Sequence, residues 1–581
     1  MRMTKIICTL GPAVDNDETL EKLVLGGMDV ARLNFSHGTH EEHQVRVDRV
    51  NKLRKKLGKP IPLMIDTKGP EIRLGKFEKG EVTLKDGDKF TLMNADIMGD
   101  ESKASVSHKE LYKSVKIGTR ILINDGLVAM EVESIQDKDI YCKVLNGGAI
   151  SNNKGVNIPE TDTHLPAITQ QDIEDIKFAA QNDFDFIACS FIRKASNVVE
   201  IRKILKKFNA QNIKVISKIE NREGVNNFDE ILKVSDGIMV ARGDLGVEIP
   251  PEEVPIVQKM IISKCFESGK PVITATQMLD SMIKNPRPTR AEASDVANAV
   301  FDGTSAVMLS GESAAGKYPI ESVKTLAKIA QKTEESINYG KKLSLMEYDV
   351  RESITNAISY ATCTTAMQLK ASAIISVTMS GQTAKMISRF RPVCPIIATT
   401  TVPRVQRQLC LSWGVVPILV NKAKDVEEMF QTGIKKALEI NLVKQGDIVV
   451  ITAGLPVGIS GTTNLLKVQT VGDILIKGNG IGKGKITKEL CVANNADELA
   501  ENFKAGCAVV LPDTNNAMLS YLRNASAIIV EEDDPSCHAV TVGLSLDIPV
   551  IYGAKGALDI LKNGSVVTID SNNGVVLAEN Y

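Results

Sequence analysis

Residues 214–221 read K-V-I-S-K-I-E-N, and residues 237–247 read G-I-M-V-A-R-G-D-L-G-V. Each is a short apolar run that breaks off into charged residues, Lys218 and Glu220 in the first, Arg242 and Asp244 in the second. A run that is apolar throughout suits a strand buried on both faces, the condition of a parallel sheet with helices packed outside it. The same form recurs at Lys5–Thr9, Val30–Phe35, Pro62–Asp66, Phe186–Ser190, Pro271–Thr276 and Thr304–Leu309, with Lys/Glu-rich amphipathic stretches between. The total is eight strands in a βα alternation, the count that closes a (β/α)8 barrel. Periodicity alone leaves a doubly wound open sheet as the alternative.

In a barrel, reactive side chains sit at the C-terminal strand ends, where the loops converge on one mouth. Here those ends carry Arg32, Asn34 and Ser36; Asp66 and Thr67; Lys218 and Glu220; Arg242 and Asp244; Thr276; and Ser310 and Glu312. Glu220 and Asp244, on successive strand ends, suit one hard divalent cation, Mg2+ or Mn2+, whose other positions go to water or substrate oxygens. Lys218 shares a strand face with Glu220, so its ammonium can sit beside that metal and neutralise an anion during reaction. An isolated K-x-E would instead read as a buried salt bridge, but three strand ends supply partners here. Asn34, Ser36, Asp66 and Thr67 offer hard oxygens with one formal charge, a better match to a monovalent cation than to a second Mg2+. Gly243, in A-R-G-D-L-G, lets backbone amides approach an anion near a helix start, with a plain turn glycine as the alternative.

Between the third and fourth strands, residues 69–165 are too many for a βα loop. Their short alternating runs (Glu81–Leu84, Lys89–Met93, Arg120–Ile123, Val128–Val132, Ile140–Val144), separated by Gly, Asp and Asn turns, predict a small inserted β-barrel acting as a lid. The barrel domain then comprises 1–68 and 166–345. After a polar stretch at Gly340–Glu352, a further α/β domain spans 346–473, with a helix at Ile354–Leu369 and strands at Ala373–Val377, Ile396–Thr399 and Ile448–Thr452. Lys477–Lys485, K-G-N-G-I-G-K-G-K, has the composition of a flexible linker, and residues 485–581 are long enough for a fourth domain.

Length and composition agree with several folded domains. The chain has 581 residues, 43% hydrophobic and 24% charged, and a net charge of −1, so no overall field would hold it on nucleic acid or an anionic membrane surface. Ten scattered cysteines without a C-x-x-C pair favour reduced thiols in the cytoplasm. No signal-peptide core or membrane span is legible.

Two motifs mislead. Gly311-E-S-A-A-Gly316-Lys317 fits a P-loop except that Tyr318 stands where Ser or Thr would hold Mg2+. His37, His40 and His43 lack an H-E-x-x-H pattern and read as the start of a wet helix rather than a metal site.

At these residues the sequence resembles pyruvate kinase over roughly residues 1 to 473. The matching stretches are I-I-C-T-L-G-P-A from Ile6, V-A-R-L-N-F-S-H-G from Val30, D-T-K-G-P-E-I-R from Asp66, S-K-I-E-N from Ser217, A-R-G-D-L-G-V-E from Ala241, T-A-T-Q-M-L from Thr274 and M-L-S-G-E-S-A from Met308. The resemblance implies phosphoryl transfer from phosphoenolpyruvate to ADP, giving pyruvate and ATP in glycolysis, by an allosteric homotetramer. It implies that Glu220 and Asp244 hold the divalent metal, and that Asn34, Ser36, Asp66 and Thr67 hold K+, with Glu71 marking the K+-dependent variety. Arg32, Arg73 and Lys218 contact the phosphoryl group, and Gly243, Asp244 and Thr276 receive the oxoacid carboxylate. Thr9, Pro12, Asn34, His37 and Arg73 lie on the nucleotide side, and Thr276 with Ser310 supplies the proton to carbon. Thr378, Ser380, Gly381 and Thr383, in T-M-S-G-Q-T, resemble the family's loop for a phosphorylated effector. Met379 stands where some members carry Lys, which leaves AMP, a ribose phosphate and fructose bisphosphate open.

From about 485 onward the chain exceeds the usual pyruvate kinase. Pro535–Ile551 resembles the phosphohistidine swivelling domain of phosphoenolpyruvate-utilising enzymes, with His538 at the carrier position. With no nucleotide-grasp domain legible to load it, a structural role is expected. Two other functions compete: a metal-dependent lyase using Lys218 to stabilise an enolate, against which Arg32, Arg73 and the lid argue, and a phosphohistidine carrier, which ADP dependence would separate.

Overall fold

All eight anticipated strands form, and they close on themselves. They are β1 (Lys5–Leu10), β2 (Val30–Asn34), β3 (Leu63–Asp66), β4 (Phe186–Cys189), β5 (Lys214–Ile219), β6 (Gly237–Ala241), β7 (Val272–Ala275) and β8 (Ala306–Leu309). Each pairs in parallel with its neighbour in the series, and β8 returns to β1, Lys5 opposite Ala306, which removes the open-sheet alternative. The computed structural model describes residues 1–159, 161, 165–345, 353–454, 463–472, 474–482 and 484–578. The end of the polar stretch Gly340–Glu352, and Lys483 of the expected linker, lie outside the described residues.

The strands lack polar alternation because both faces are packed. Ile7, Met64, Ile216, Met239 and Ile273 fill the barrel interior, while Ile6, Cys8, Ile65, Val215 and Val240 meet the outer helices. Two of these helices bear on the mouth: α1 (His40–Leu57), opened by a Thr39/Glu42 capping box, and α2 (Gln170–Gln181), opened by a Thr169/Asp172 box. A third, α3 (Arg242–Glu248), follows β6 directly.

The insertion is β-rich with its own core around Phe77, Phe90 and Ile121. Its larger sheet runs Val156–Asn157, Arg120–Ile123, Val128–Gln136, Asp139–Asn146, Lys89–Met93 and Lys103–Ser105, and Glu81–Leu84 pairs separately with Gly148–Ser151. Strand patterns such as that of Glu81–Leu84, exposed and buried in turn, explain why this part was legible.

The chain divides into two compact units, one holding Met1–Ser359 with Thr378–Leu419, the other holding Tyr360–Val377, residues 420–454 and the chain from Thr463 onward. In the first unit Ile396–Thr400 pairs in parallel with Val415–Leu419, and helix α4 (Gln382–Arg389) precedes them. In the second, Ala373–Val377 pairs in parallel with Ile448–Gly454, which pairs antiparallel with Thr463–Thr470.

The expected linker is instead sheet. Ile474–Lys477 and Asn479–Ile481 form the two edges of an eight-stranded C-terminal sheet, with Asn479 opposite Tyr552, and Lys485 opens a central strand. The glycines there serve close approach: a Cβ on Gly480 would lie 1.8 Å from the Ser571 carbonyl oxygen, and one on Gly478 would lie 2.5 Å from that of Tyr552. Composition shows glycine content but not what backbone passes beside it.

Candidate active site

The C-terminal ends of β2, β3 and β5 converge on one buried charge cluster. The Lys218 ammonium lies 3.0 Å from Asp66 Oδ1 and 2.8 Å from Glu220 Oε1, and it donates to Ser190 Oγ at 2.7 Å. Arg32 donates through Nε to Asp66 Oδ2 at 2.7 Å and through Nη1 to Thr9 Oγ1 at 2.6 Å. Asp66 therefore sits between two cations. Burial raises its pKa, but Arg32 and Lys218 outweigh burial and hold it below the ordinary carboxylate value. Lys218 is shifted the other way: burial disfavours the ammonium, and Asp66 and Glu220 reverse that, so it stays charged.

Glu220 differs from Asp66. It is 1% exposed, and burial pushes its carboxyl up to about 7, Lys218 opposing this and nearby Asp244 adding to it. Oε2 accepts the Phe191 amide at 2.5 Å, and Oε1 is paired with the Lys218 ammonium at 2.8 Å. Asp244, in the first turn of α3, is raised by burial, with Lys218 opposing and Asp125 of the insertion adding to the rise. Two carboxylates whose charged forms burial disfavours, on successive strand ends, form a donor set that a divalent cation would complete. Among the described residues no group of three or more His, Cys, Asp or Glu could hold a metal, so such a cation would take its remaining ligands from water or substrate.

Asn34, Ser36, Asp66 and Thr67 come together at the ends of adjacent strands, with Asn34 opposite Asp66 in register. Asn34 Oδ1 accepts the Ser36 amide at 3.2 Å, and the Phe35 amide donates to the Asp66 carbonyl at 3.0 Å. On the far side of the mouth, Thr276 holds a left-handed φ of 66°, a strained state for a β-branched residue. Its hydroxyl donates to the Ala275 carbonyl at 2.6 Å and accepts the Gly243 amide at 2.8 Å. A Cβ on Gly243 would meet Thr276 only at 3.6 Å or beyond, so the absent side chain leaves open an approach to the Thr276 hydroxyl. Thr276 and Ser310 share no hydrogen bond.

A cavity of about 560 Å3 opens between insertion and barrel, lined by Glu71, Arg73, Asp125, Phe191, Asp244 and Glu248 among others. Arg73 donates to Glu71 at 2.6 Å and to the Asn153 carbonyl at 2.7 Å, so in this state its guanidinium is held by the insertion rather than by the Lys218 cluster. Pro12 opens a short 3-10 turn after β1, and His37 lies exposed on the loop after β2.

Four placements add to or depart from the sequence expectation. Thr9 is buried with its hydroxyl donating to the Leu309 carbonyl and accepting from Arg32, so it supports that guanidinium. Glu312, in the apparent P-loop, accepts the Ser310 and Leu279 amides, so it is structural. His43 is not on a wet face but 2% exposed, and His40 is 2.7 Å from Asp175 of α2. Ser190 was missed, although it ends β4 as the other site residues end theirs. A lone hydroxyl carries no charge signal.

Elsewhere, Gly381 N-caps α4 at φ 82° with its amide on Thr378 Oγ1 at 2.9 Å, and the Gln382 amide lies 3.4 Å from Ser380 Oγ. Thr383 follows in the first turn, while Met379 faces Thr401. In the second unit His538 begins helix α5 (His538–Leu546); Nδ1 lies 2.9 Å from Thr514 Oγ1 and Nε2 3.2 Å from Asn516 Oδ1.

Comparison with known proteins gives consistent results. Residues 1–323 match the family described as pyruvate kinase, barrel domain; 356–469 match pyruvate kinase, alpha/beta domain; and 503–574 match PEP-utilising enzyme, mobile domain. Relatives named pyruvate kinase include one from Bacillus licheniformis, 50% identical over 578 residues covering 99% of both chains. Another, from Geobacillus stearothermophilus, is 48% identical and covers 99% of this chain and 98% of its own. A crystal structure of a pyruvate kinase from Cryptosporidium parvum superposes with a TM-score of 0.77 at 42% identity, over 81% of this chain and 96% of that one.

Proposed function

The chain belongs to the pyruvate kinase family, enzymes that carry the phosphoryl group of phosphoenolpyruvate to ADP, and from that premise we propose how its residues divide the work. The observation that carries the proposal is the buried Lys218 ammonium, held by Asp66 and Glu220 beside Arg32 and within the field of Asp244.

Glu220 and Asp244 hold Mg2+ or Mn2+, and Asn34, Ser36, Asp66 and Thr67 hold K+, with Glu71 supporting that K+ dependence. The divalent cation supplies charge neutralisation for the substrate oxygens. Lys218, Arg32 and Arg73 orient the phosphoryl group and offset its charge as the bond to the enol oxygen breaks and the bond to the ADP β-phosphate oxygen forms. Gly243, Asp244 and Thr276 seat the carboxylate. The enolate left behind takes a proton at its terminal carbon, delivered from Thr276 through water and Ser310. Pro12, Asn34, His37 and Arg73 receive the nucleotide, with Thr9 acting through Arg32. Closing the insertion would carry Arg73, with Glu71 beside it, toward the phosphates and exclude water.

We further propose that Thr378, Ser380, Gly381 and Thr383 take the phosphate of an allosteric effector, a sugar phosphate or nucleoside monophosphate, at the start of α4. Family membership also supports a cytoplasmic homotetramer. No described helix is long and apolar enough to cross a membrane.

The test is pyruvate formation from phosphoenolpyruvate with Mg2+, with and without ADP, and with K+ exchanged for Na+. Activity should require ADP and Mg2+ and rise with K+; ADP-independent pyruvate release would overturn the assignment. His538→Ala should retain a rate within about twofold of the parent, since both partners of His538, Thr514 and Asn516, belong to its own C-terminal domain. Its abolition of turnover would transfer the chemistry to the C-terminal domain.

A further inference from the structure

The loop between β2 and α1 carries Asn34, Ser36 and His37, yet its own bonds are few. The Phe35 amide ties its start to β3, and the Thr39 capping box ties its end to α1. Between these, the Ser36 and His37 amides reach only back to Asn34, at 3.2 and 3.3 Å, and Gly38 turns the chain at φ 80°. Residues 37–39 are exposed.

One contact reaches the middle of this loop from rigid structure. His43, one turn into α1, places Nε2 2.9 Å from the His37 carbonyl oxygen and stacks on Phe35 with ring centroids 4.0 Å apart and planes 11° apart. A carbonyl only accepts, so Nε2 carries the proton, and Nδ1 is buried with no hydrogen-bond partner. Burial also lowers the ring's pKa to about 4, in keeping with a neutral donor. A phenylalanine would fill the same stacked slot without burying an unsatisfied nitrogen, so what the imidazole adds at this position is the Nε2–H donor.

We propose that His43 is a positioning residue for phosphoryl transfer, its Nε2–H fixing the loop that presents Asn34, Ser36 and His37. The inference rests on the assignment of Asn34 and Ser36 to K+ and of His37 to the nucleotide.

Steady-state kinetics on the full-length enzyme tests it with four variants. His43→Phe keeps the stacked ring and removes the donor; His43→Gln returns a donor at nearly the same reach. In His43→Phe the K+ half-saturation and the KM for ADP should each rise about tenfold, the effect of one lost hydrogen bond. Turnover at saturating K+ and ADP, and the KM for phosphoenolpyruvate, should change far less, and His43→Gln should recover most of the shift. Should His43→Phe fail to fold, His43→Met poses the same question. Ser36→Ala, measured alongside, tests the K+ assignment itself. Unmoved K+ and ADP constants in His43→Phe, with Ser36→Ala shifted, would overturn the positioning role and leave the cation site standing. Equal loss of turnover and thermal stability without rescue by Gln would reduce His43 to a packing residue. If Ser36→Ala leaves the K+ response unmoved, the cation assignment fails and the inference falls with it.

Discussion

Lys218→Met should lower turnover with phosphoenolpyruvate and ADP by on the order of a thousandfold or more, the loss found when a preorganised charge is removed from a buried reacting centre. The methionine fills a comparable volume but leaves the phosphoryl group facing Asp66 and Glu220 without the ammonium that lies 3.0 and 2.8 Å from them. Folding should survive. Removing one member of a buried ion pair costs about 3–5 kcal/mol when its partner is stranded, but Asp66 keeps Arg32 at 2.7 Å and Glu220, already raised to about 7, takes up a proton. A modest fall in thermal midpoint alongside the collapse of turnover is therefore the expected pair of results. Lys218→Arg should recover part of the rate, because it restores charge but not the compact geometry shared with Ser190. Turnover of Lys218→Met within tenfold of the parent would remove Lys218 from the chemistry.

The legibility of this site follows from its charge. Arg32, Asp66, Lys218, Glu220 and Asp244 stand out because each ends an apolar run, and a charge beside a buried strand needs a reason. Ser190 supports the same ammonium, but its near neighbours Ala188, Cys189, Phe191 and Ile192 are all uncharged, so nothing beside it marks it as Glu312 marks Ser310. His43 was misjudged for a related reason. Three charged or polar residues precede it in H-E-E-H, and only the packed structure shows that Phe35 and the His37 carbonyl cover its ring. The barrel was readable because its strands are apolar on both faces, and the insertion because its strands alternate. The stretch Lys477–Lys485 was misread because glycine has one composition and two uses, freedom and close approach, and the Ser571 backbone against Gly480 decides between them.

Glu220→Gln should raise the Mg2+ concentration needed for half-maximal activity by at least about a hundredfold, more than the loss of an outer-shell partner costs a metal site. The substitution keeps the shape and an oxygen able to accept the Phe191 amide, while removing the charge that, with Asp244, would attract the cation. pH supplies a readout apart from turnover. In the metal-free protein burial and Asp244 lift the Glu220 carboxyl from 4.5 to about 7. Between those values the folded state holds a proton that the unfolded state has released, so this group favours folding most at low pH and its contribution declines as pH rises through 7. Mg2+ binding needs the carboxylate, so a proton must leave, and apparent affinity should weaken as pH falls below 7. Thermal stabilisation by Mg2+ should accordingly be larger at pH 8 than at pH 6. In Glu220→Gln both the stabilisation and most of its pH dependence should disappear, any residual slope coming from Asp244, whose carboxyl is raised in the same direction. A variant that kept the parental Mg2+ response and its slope would show that the cation is held elsewhere in the mouth, with Glu220 serving only as the counter-charge to Lys218.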